Sequence, residues 1–447
     1  MIDRRTFLTA AGTITVGMLA AGCTRTSAPG EVRLWGFGGA EADVQQEVID
    51  AFLDSYPDVT VRQRMTPASE PGDATYAITA VRGGTAPDLW AMDRFTTAQY
   101  AALGLVEPLD DLIAEESPGF EDDWAAFAMD ELRYDGHVFG LPFDTDTRGL
   151  FYNKATFRQA GLDPDELDPA NGPITVARVL ELNEVLAEVD GRGNYTRFGL
   201  IPWDAQGSAL TWMVGRGVEF YNRATGKIQL TSPDVIDVLE QLQAWAQEWS
   251  FPRIEAFKAT YQPPNSPPAQ TSFFGGQQAM VVDASILIQN IRNYAPDLDF
   301  GVTYLPVWEP GDDVYTWSGG FSLVAPTGST LSPAVWELMK YFCGGAGQSI
   351  AMNPLAKIPT HLATLAAYEP PGKEEAFMAS LLDYSISRPP LPVGQLFSDA
   401  LGDAQESVLI GSATPREAAE AAQARVQPQL ALFEDFELPE GYGEPGL

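Results

Sequence analysis

The sequence predicts an α/β fold built on a parallel sheet, and three stretches near its start predict it. "EVRLWGFGG" (31–39) alternates apolar with polar residues and then breaks into glycines, as a strand running into a loop does. "AEADVQQEVIDAFLDSYPD" follows, with Val44, Val48, Ile49, Phe52 and Leu53 at helical spacing, and Pro57 stops it. "VTVRQRM", "ATYAITAVRGG" and "PDLWAMD" then read as strand, helix and strand, the order that builds a parallel sheet with helical crossovers. Loops at the carboxyl ends of such strands collect ligands. Trp35-Gly36 and Asp93-Arg94 both sit at such ends.

The next stretch, "HVFGLPFDTDTRGLFYNK" (137–154), is one long extended run with Pro142 inside and acids at Asp144 and Asp146. Asp144 is expected to face away from Asp146 and into solvent. "VARVLELNEVLAEV" and "PDVIDVLEQLQAWAQEW" carry helical spacing, with a hairpin-like "YNRATGKIQL" between them. The proline-rich "YQPPNSPPAQ" (261–270) reads as a surface excursion. "QQAMVVDAS" and "DFGVTYLP" are strands; "SGGFSLVAP" and the helix "SPAVWELMKYFC" follow, and the Ala-rich "PREAAEAAQARVQPQLALF" is an amphipathic helix. The chain shows neither an internal repeat nor a long low-complexity stretch.

At 447 residues the chain is long enough for two or three domains on a prior of roughly 150 residues each. Its 61 acidic and 27 basic residues give a net charge of −34. Such a surface repels phosphate backbones and anionic headgroups, which argues against nucleic acid as a partner. The first 23 residues read as an address: Arg4-Arg5 precedes a weakly apolar run, Phe7 to Gly22, too short for a membrane span. Arg4-Arg5-Thr6-Phe7-Leu8 resembles a twin-arginine export signal, with Asp3 where Ser or Thr is usual. Leu19-Ala20-Ala21-Gly22-Cys23 resembles a lipobox, with Ala20 where Leu or Val is commoner. That resemblance implies removal of residues 1–22, lipidation of Cys23 and a tether over 23–30. Cys343 is then left without an intramolecular partner, so neither a disulfide framework nor a cysteine-based metal site is expected.

The order of these pieces resembles the extracellular solute-binding lipoproteins of bacterial ABC importers, and within them the carbohydrate-binding group that includes maltose-binding protein. The elements that carry it are "VRLWGFGG", "FLDSYPDVTV", "GTAPDLWAMDRF", "GLVEPLDDL", "GLPFDTDTRGLFYNKATFRQAGL", "FFGGQQAMVVDAS", "DFGVTYLPVWEPG", "SGGFSLVAP" and the closing "RPPLP" to "PREAAEAAQ". The resemblance implies a two-lobed periplasmic-binding-protein-like fold of type II, its lobes joined by about three hinge crossings. Lobe 1 would take 31–143 and 301–350, lobe 2 would take 144–300 and 351–447. It also implies a sugar or oligosaccharide gripped between the lobes, an ABC permease as partner, an outer-face lipid anchor, a monomer, and no cofactor or reaction. Two departures stand out: Pro173, Thr175 and Val176 occur without the tryptophan usual there, and Asp283-Ala284-Ser285-Ile286 stands where an aromatic is common. A same-fold receptor for a polyol phosphate or polyamine, and an exported glycoside hydrolase, stay open as alternatives.

Sugar hydroxyls are read by carboxylates and by the fixed fork of Arg, and sugar C–H faces by aromatic rings. The resemblance places Asp93 and Arg94 on a sugar-contacting Asp-Arg pair and Asp146 on an acidic hinge residue. Trp203 and Trp212 lie where aromatic contacts are often found, one expected in the core and one in the cleft. Trp35 reads equally as core or cleft, and Glu41 either serves the ligand or complements a helix N-terminus. Trp317 precedes Gly319 and Gly320, glycines that would let backbone approach a ligand. Asp283, at a strand end, and Arg388, in "SRPPLP", complete the candidates. His137 and His361 are far apart without metal-ligand spacing, and no nucleophile elbow, phosphate loop or zinc motif is present.

Overall fold

The computed structural model describes residues 30–38, 40–65, 75–267, 269–433 and 435–443. The export segment, Cys23 and nearly all of the tether lie outside the described residues. Two five-stranded sheets organise the rest. In the first, Thr60–Met65, Glu31–Gly36 and Leu89–Asp93 run parallel, and Phe321–Val324 joins antiparallel between Leu89–Asp93 and Gly140–Pro142. In the second, Arg148–Asn153 lies antiparallel between Phe300–Thr303 and Gln278–Ala284; Tyr195–Leu200 follows in parallel and Glu188–Val189 closes the edge.

The sequence pattern explains these elements. Val44, Val48, Ile49 and Phe52 form the buried stripe of the helix Ala40–Ser55, packed against Val32 and Leu34 of the first sheet. Helices that follow loops carry oxygen caps: Ser232 for Pro233–Glu248, Ser332 for Pro333–Cys343, and a capping box of Thr414 and Glu417 for Pro415–Leu430. The second sheet's core holds a tryptophan stack in which Trp245 lies between Trp249 (6.2 Å, 6°) and Trp308 (6.3 Å, 4°). Among the described residues no helix is long and apolar enough to cross a membrane.

The chain passes between the sheets at three places, and two short ladders tie the passages together. Asp144–Thr145 pairs antiparallel with Ile358–Pro359, and Thr316–Ser318 pairs parallel with Ser385–Ser387. Two expected boundaries need correction. Phe300–Thr303 hydrogen-bonds to Arg148–Asn153, so residues 301–303 belong to the second sheet, where the ladder completes its edge and Phe300 and Val302 pack on its core. Ala351, Met352 and Leu355 are buried in the first lobe's core, since the helix Gly345–Leu355 packs there as one piece.

Candidate ligand-binding site between the lobes

The strand Leu89–Asp93 is buried until its last residue, where Asp93 accepts a hydrogen bond from the Phe95 N–H (3.1 Å) and turns the chain into a short 3-10 helix. That reversal separates the two neighbours. The Asp93 carboxylate stays partly exposed and pairs with Arg388 at 2.6 Å. Arg388 follows the Ser385–Ser387 passage, and its guanidinium lies 4.4 Å from the Phe95 ring centroid and 5.4 Å from that of Trp317. Asp93 and Arg388 therefore meet across the seam between the lobes.

Arg94 goes inward. It has no solvent exposure; its Nε donates to Glu131 at 2.8 Å, its Nη2 to the Gly319 carbonyl at 3.1 Å and its Nη1 to the Asp144 carbonyl. The expected sugar-contacting role of Arg94 is corrected: its fork is consumed by fastening three chain segments. Gly320 is corrected with it. Its φ is +153°, and a Cβ there would run into the Arg94 guanidinium and the Asp144 carbonyl, so the bare backbone admits Arg94 rather than a ligand. Gly320→Ala is expected to lower stability by about 1–3 kcal/mol, the usual cost of overpacking, read as a drop in urea midpoint.

Asp146 is 5% exposed and fully engaged: Lys357 Nζ donates to one oxygen at 2.7 Å, and the Gly319 N–H (3.0 Å) and Arg148 donate to the other. Burial works against the carboxylate, but Arg148 and Lys357 outweigh it and hold its pKa far below the usual range. An open sugar contact for Asp146 is thus corrected to a tie between two passages, Asp146 bridging Gly319. The Arg148 guanidinium lies 3.4 Å from the Trp317 ring centroid, and Trp317 Nε1 donates to Thr211 at 2.9 Å. Trp317 is a covered ring here, and Gly319 faces the Arg148 guanidinium. Asp144, expected in solvent, is 1% exposed and accepts the Phe321 N–H at 2.8 Å.

Glu41 and Asp283, like Asp144, have no ion-pair partner among the described residues. Glu41 opens the first lobe's leading helix; burial raises its pKa, Lys357 lowers it, and Asp144 and Asp146 raise it. Asp283, on the second sheet, accepts the Ala284 N–H at 2.7 Å. Burial pushes its pKa to about 7, against the Ala284 hydrogen bond and Arg148, and with Asp204 and Asp146. A carboxyl whose folded pKa is raised binds its proton more tightly in the folded state, so stability falls as pH rises from about 4 to 7. Asp283→Asn is expected to remove that slope and to raise the pH 8 melting midpoint by about 2–4 °C, with little change at pH 4.

The remaining tryptophans are core. Trp35 is 5% exposed and packs edge-on against Trp90. Trp212 is 1% exposed, donates to the Pro202 carbonyl at 2.7 Å and meets Trp245 and Trp308. Trp203 is buried against Trp249 and Phe251. Both Trp203 and Trp212 are therefore corrected to core, because the apolar space under the second sheet takes both rings. Sequence reasoning missed Arg148, Lys357 and Glu131. Lys357 alone carried a signal, as a lone charge inside the otherwise uncharged "PLAKIPT"; Arg148 in "DTRGLF" and Glu131 in "AMDELRY" stand among other charges and were not marked out.

Among the described residues, no group of three or more His, Cys, Asp or Glu side chains is placed to hold a metal ion. His361 caps the helix Leu362–Ala366, and the exposed His137 lies 3.2 Å from Asp110. Cys343 is buried beside the Leu141 carbonyl.

The chain matches the family model described as bacterial extracellular solute-binding protein over residues 38–348. It is 24% identical over 319 residues to a maltotriose-binding protein of Pyrococcus abyssi, an alignment covering 70% of this chain and 62% of that relative. It is 23% identical over 455 aligned positions to the sn-glycerol-3-phosphate-binding periplasmic protein UgpB of Pectobacterium atrosepticum, covering 95% and 96%. Among solved structures, CpMnBP1 with mannobiose bound superposes with a TM-score of 0.78 at 22% identity, covering 88% of this chain and 99% of that one. The ABC substrate-binding protein Lmo0181 of Listeria monocytogenes, in complex with cycloalternan, gives 0.73 at 18% identity, covering 91% and 99%. These likenesses establish the two-lobed α/β fold, and the family and relatives are binding proteins. The chain belongs to the bacterial extracellular solute-binding protein family.

Proposed function

We propose that this protein is the receptor of an ABC importer, capturing a neutral sugar or oligosaccharide between its lobes and delivering it to a membrane permease without chemical change. The observation that carries the reading is the charge arrangement at the seam. Each of its cations already sits in an ion pair: Arg388 with Asp93, Arg94 with Glu131, and Arg148 and Lys357 sharing Asp146. Two carboxyls, Glu41 from the first lobe and Asp283 from the second, stand beside these cations without an ion pair among the described residues. A phosphate entering this seam finds every cation already held in an ion pair and two further carboxyls beside them. Sugar hydroxyls donate to such carboxylates and close the hydrogen-bond count without importing charge.

Two lobes that each offer one free carboxyl favour a ligand that bridges them. Ligand touching both lobes shifts the population toward closure by its differential affinity. Names among the relatives point to both a maltotriose and an sn-glycerol-3-phosphate ligand, and the paired cations favour the saccharide side. Isothermal titration against maltotriose, mannobiose and sn-glycerol-3-phosphate tests this. Heat of binding is expected from a saccharide and none from the phosphate; binding of the phosphate alone contradicts the reading. The Arg4-Arg5 and Cys23 motifs support export and a lipid anchor on the outer face of the cytoplasmic membrane. Cys23→Ala is expected to release the protein from the membrane fraction into the soluble one, and retention would count against the anchor.

A further inference from the structure

Two adjoining cavities lie away from the seam, and neither is lined by Glu41, Asp93, Asp146 or Asp283. The larger has a volume of about 680 Å³, within the range of small-molecule sites. Val218, Phe220, Tyr221, Tyr315, Tyr384 and Ile386 build its wall from three separate stretches of the chain. The wall is mostly apolar and aromatic, and Tyr384 is 42% exposed. It carries two charged side chains. Arg223 is spent: it donates to the carbonyls of Leu438 (2.8 Å), Pro439 (2.5 Å) and Tyr442 (3.1 Å). Glu219 is exposed and has no ion-pair partner among the described residues.

Tyr442 and Gly443 line the larger cavity and also a second, smaller one. This void measures about 10 Å³, room for about one water-sized group. Its lining is polar, with Asp130, Glu131 and Ser387 among it. Glu131 is 1% exposed; one carboxylate oxygen, Oε2, accepts from Arg94 Nε at 2.8 Å, while Oε1 has no hydrogen-bond partner among the described residues. The Ser387 hydroxyl is buried and equally unpartnered. Asp130 lies 3.8 Å from Arg133, and burial raises its pKa. A buried polar atom left without a partner costs stability, so these oxygens call for one that the chain itself does not supply.

We infer that the two cavities together are a second binding site, for a small amine with an apolar or aromatic body. The ammonium group, close to water in size, enters the polar void and donates to Glu131 Oε1, Ser387 Oγ and Asp130. The body lies along the tyrosine wall. An amine suits the polar end because an ionised carboxylate only accepts, and a hydroxyl accepts as readily as it donates. A carboxylate or phosphate head would meet Asp130 and Glu131 instead. The guanidinium of Arg94 gives such an anion nothing, being held by Glu131 Oε2 and the carbonyls of Asp144 and Gly319. Aromatic faces attract a cation, and Glu219 adds to the same field. This site stands apart from the seam and does not rest on what the seam binds.

The test is a charge series on one carbon skeleton. 2-Phenylethylamine, 2-phenylethanol and phenylacetate are each titrated into the full chain near neutral pH and followed by calorimetry. Binding is expected from the amine, about tenfold weaker binding from the alcohol, and none from the acid. Tyr384→Ala removes part of the wall, and Ser387→Ala removes a hydroxyl that has no partner to lose. Each is expected to weaken the amine about tenfold without lowering the melting midpoint. Should one variant melt lower, the other variant and the charge series decide. Absence of amine binding to the folded chain, equal affinity for the alcohol, or an amine affinity unchanged in a folded variant would overturn the inference.

Discussion

Replacing Arg94 with alanine is expected to lower unfolding free energy by about 3–5 kcal/mol, the range for removing one partner of a buried ion pair. Glu131 explains the size. It is 1% exposed, its Oε1 has no hydrogen-bond partner among the described residues, and burial already raises its pKa despite Arg94. Without Arg94 the carboxyl must either stay charged in an apolar setting or take up a proton, and each route weakens the fold. The Asp144 carbonyl loses its Arg94 donor in the same step, and the Gly319 carbonyl loses one of its donors, keeping Thr145. Replacing both partners, Arg94→Met with Glu131→Met, is expected to recover much of the loss, because no buried charge remains. Urea titrations of wild type, single and double variants check this. A loss below about 1 kcal/mol in Arg94→Ala would show that Arg94 fastens nothing of consequence.

Asp146→Ala is expected to be equally costly, about 3–5 kcal/mol, and to change the acid limb as well. The substitution strands two buried cations, Arg148 and Lys357, at 6% and 3% exposure. The sign of the pH effect follows from the depressed pKa of Asp146. Its contribution is fully present above the unfolded carboxyl's pKa, about 3.9, and is lost as pH falls below that value. Wild type should therefore lose stability steeply below about pH 4, while Asp146→Ala starts lower and falls less steeply over the same window. Melting midpoints at intervals from pH 2 to 7 measure both curves. Parallel curves would place the acid sensitivity elsewhere.

The parts of the molecule that could be read from sequence are those set by local pattern. Val44, Val48, Ile49 and Phe52 define a helix whatever surrounds them, and the alternation of Leu34 with its neighbours defines a strand. The passage through Pro142 to Thr147 was legible as extended because Pro and closely spaced acids disfavour a helix there. What each acid does was not legible. Asp144 faces Phe321 and Asp146 faces Lys357, and these partners are set by the fold.

Asp93 and Arg94 make the same point more sharply. Adjacent charges at a strand end invite one joint role, but the 3-10 turn sends one toward Arg388 at the seam and the other to Glu131 in the interior. Trp203 and Trp212 could not be sorted by sequence, because an indole fits a core and a cleft equally well and only the neighbouring Trp245, Trp249 and Trp308 decide. The boundary errors at Phe300–Thr303 and Ala351–Leu355 share a cause: each element stays whole and packs where its apolar face is completed.

The most direct measurement is a competition read by native mass spectrometry. The protein is incubated with an equimolar mixture of neutral oligosaccharides and phosphorylated polyols, then desalted and its bound mass recorded. A seam whose cations are already held in ion pairs, with Glu41 and Asp283 left to receive hydroxyls, should retain a neutral saccharide and reject every phosphate. Retention of a phosphorylated polyol in preference to all saccharides would contradict the account at its base.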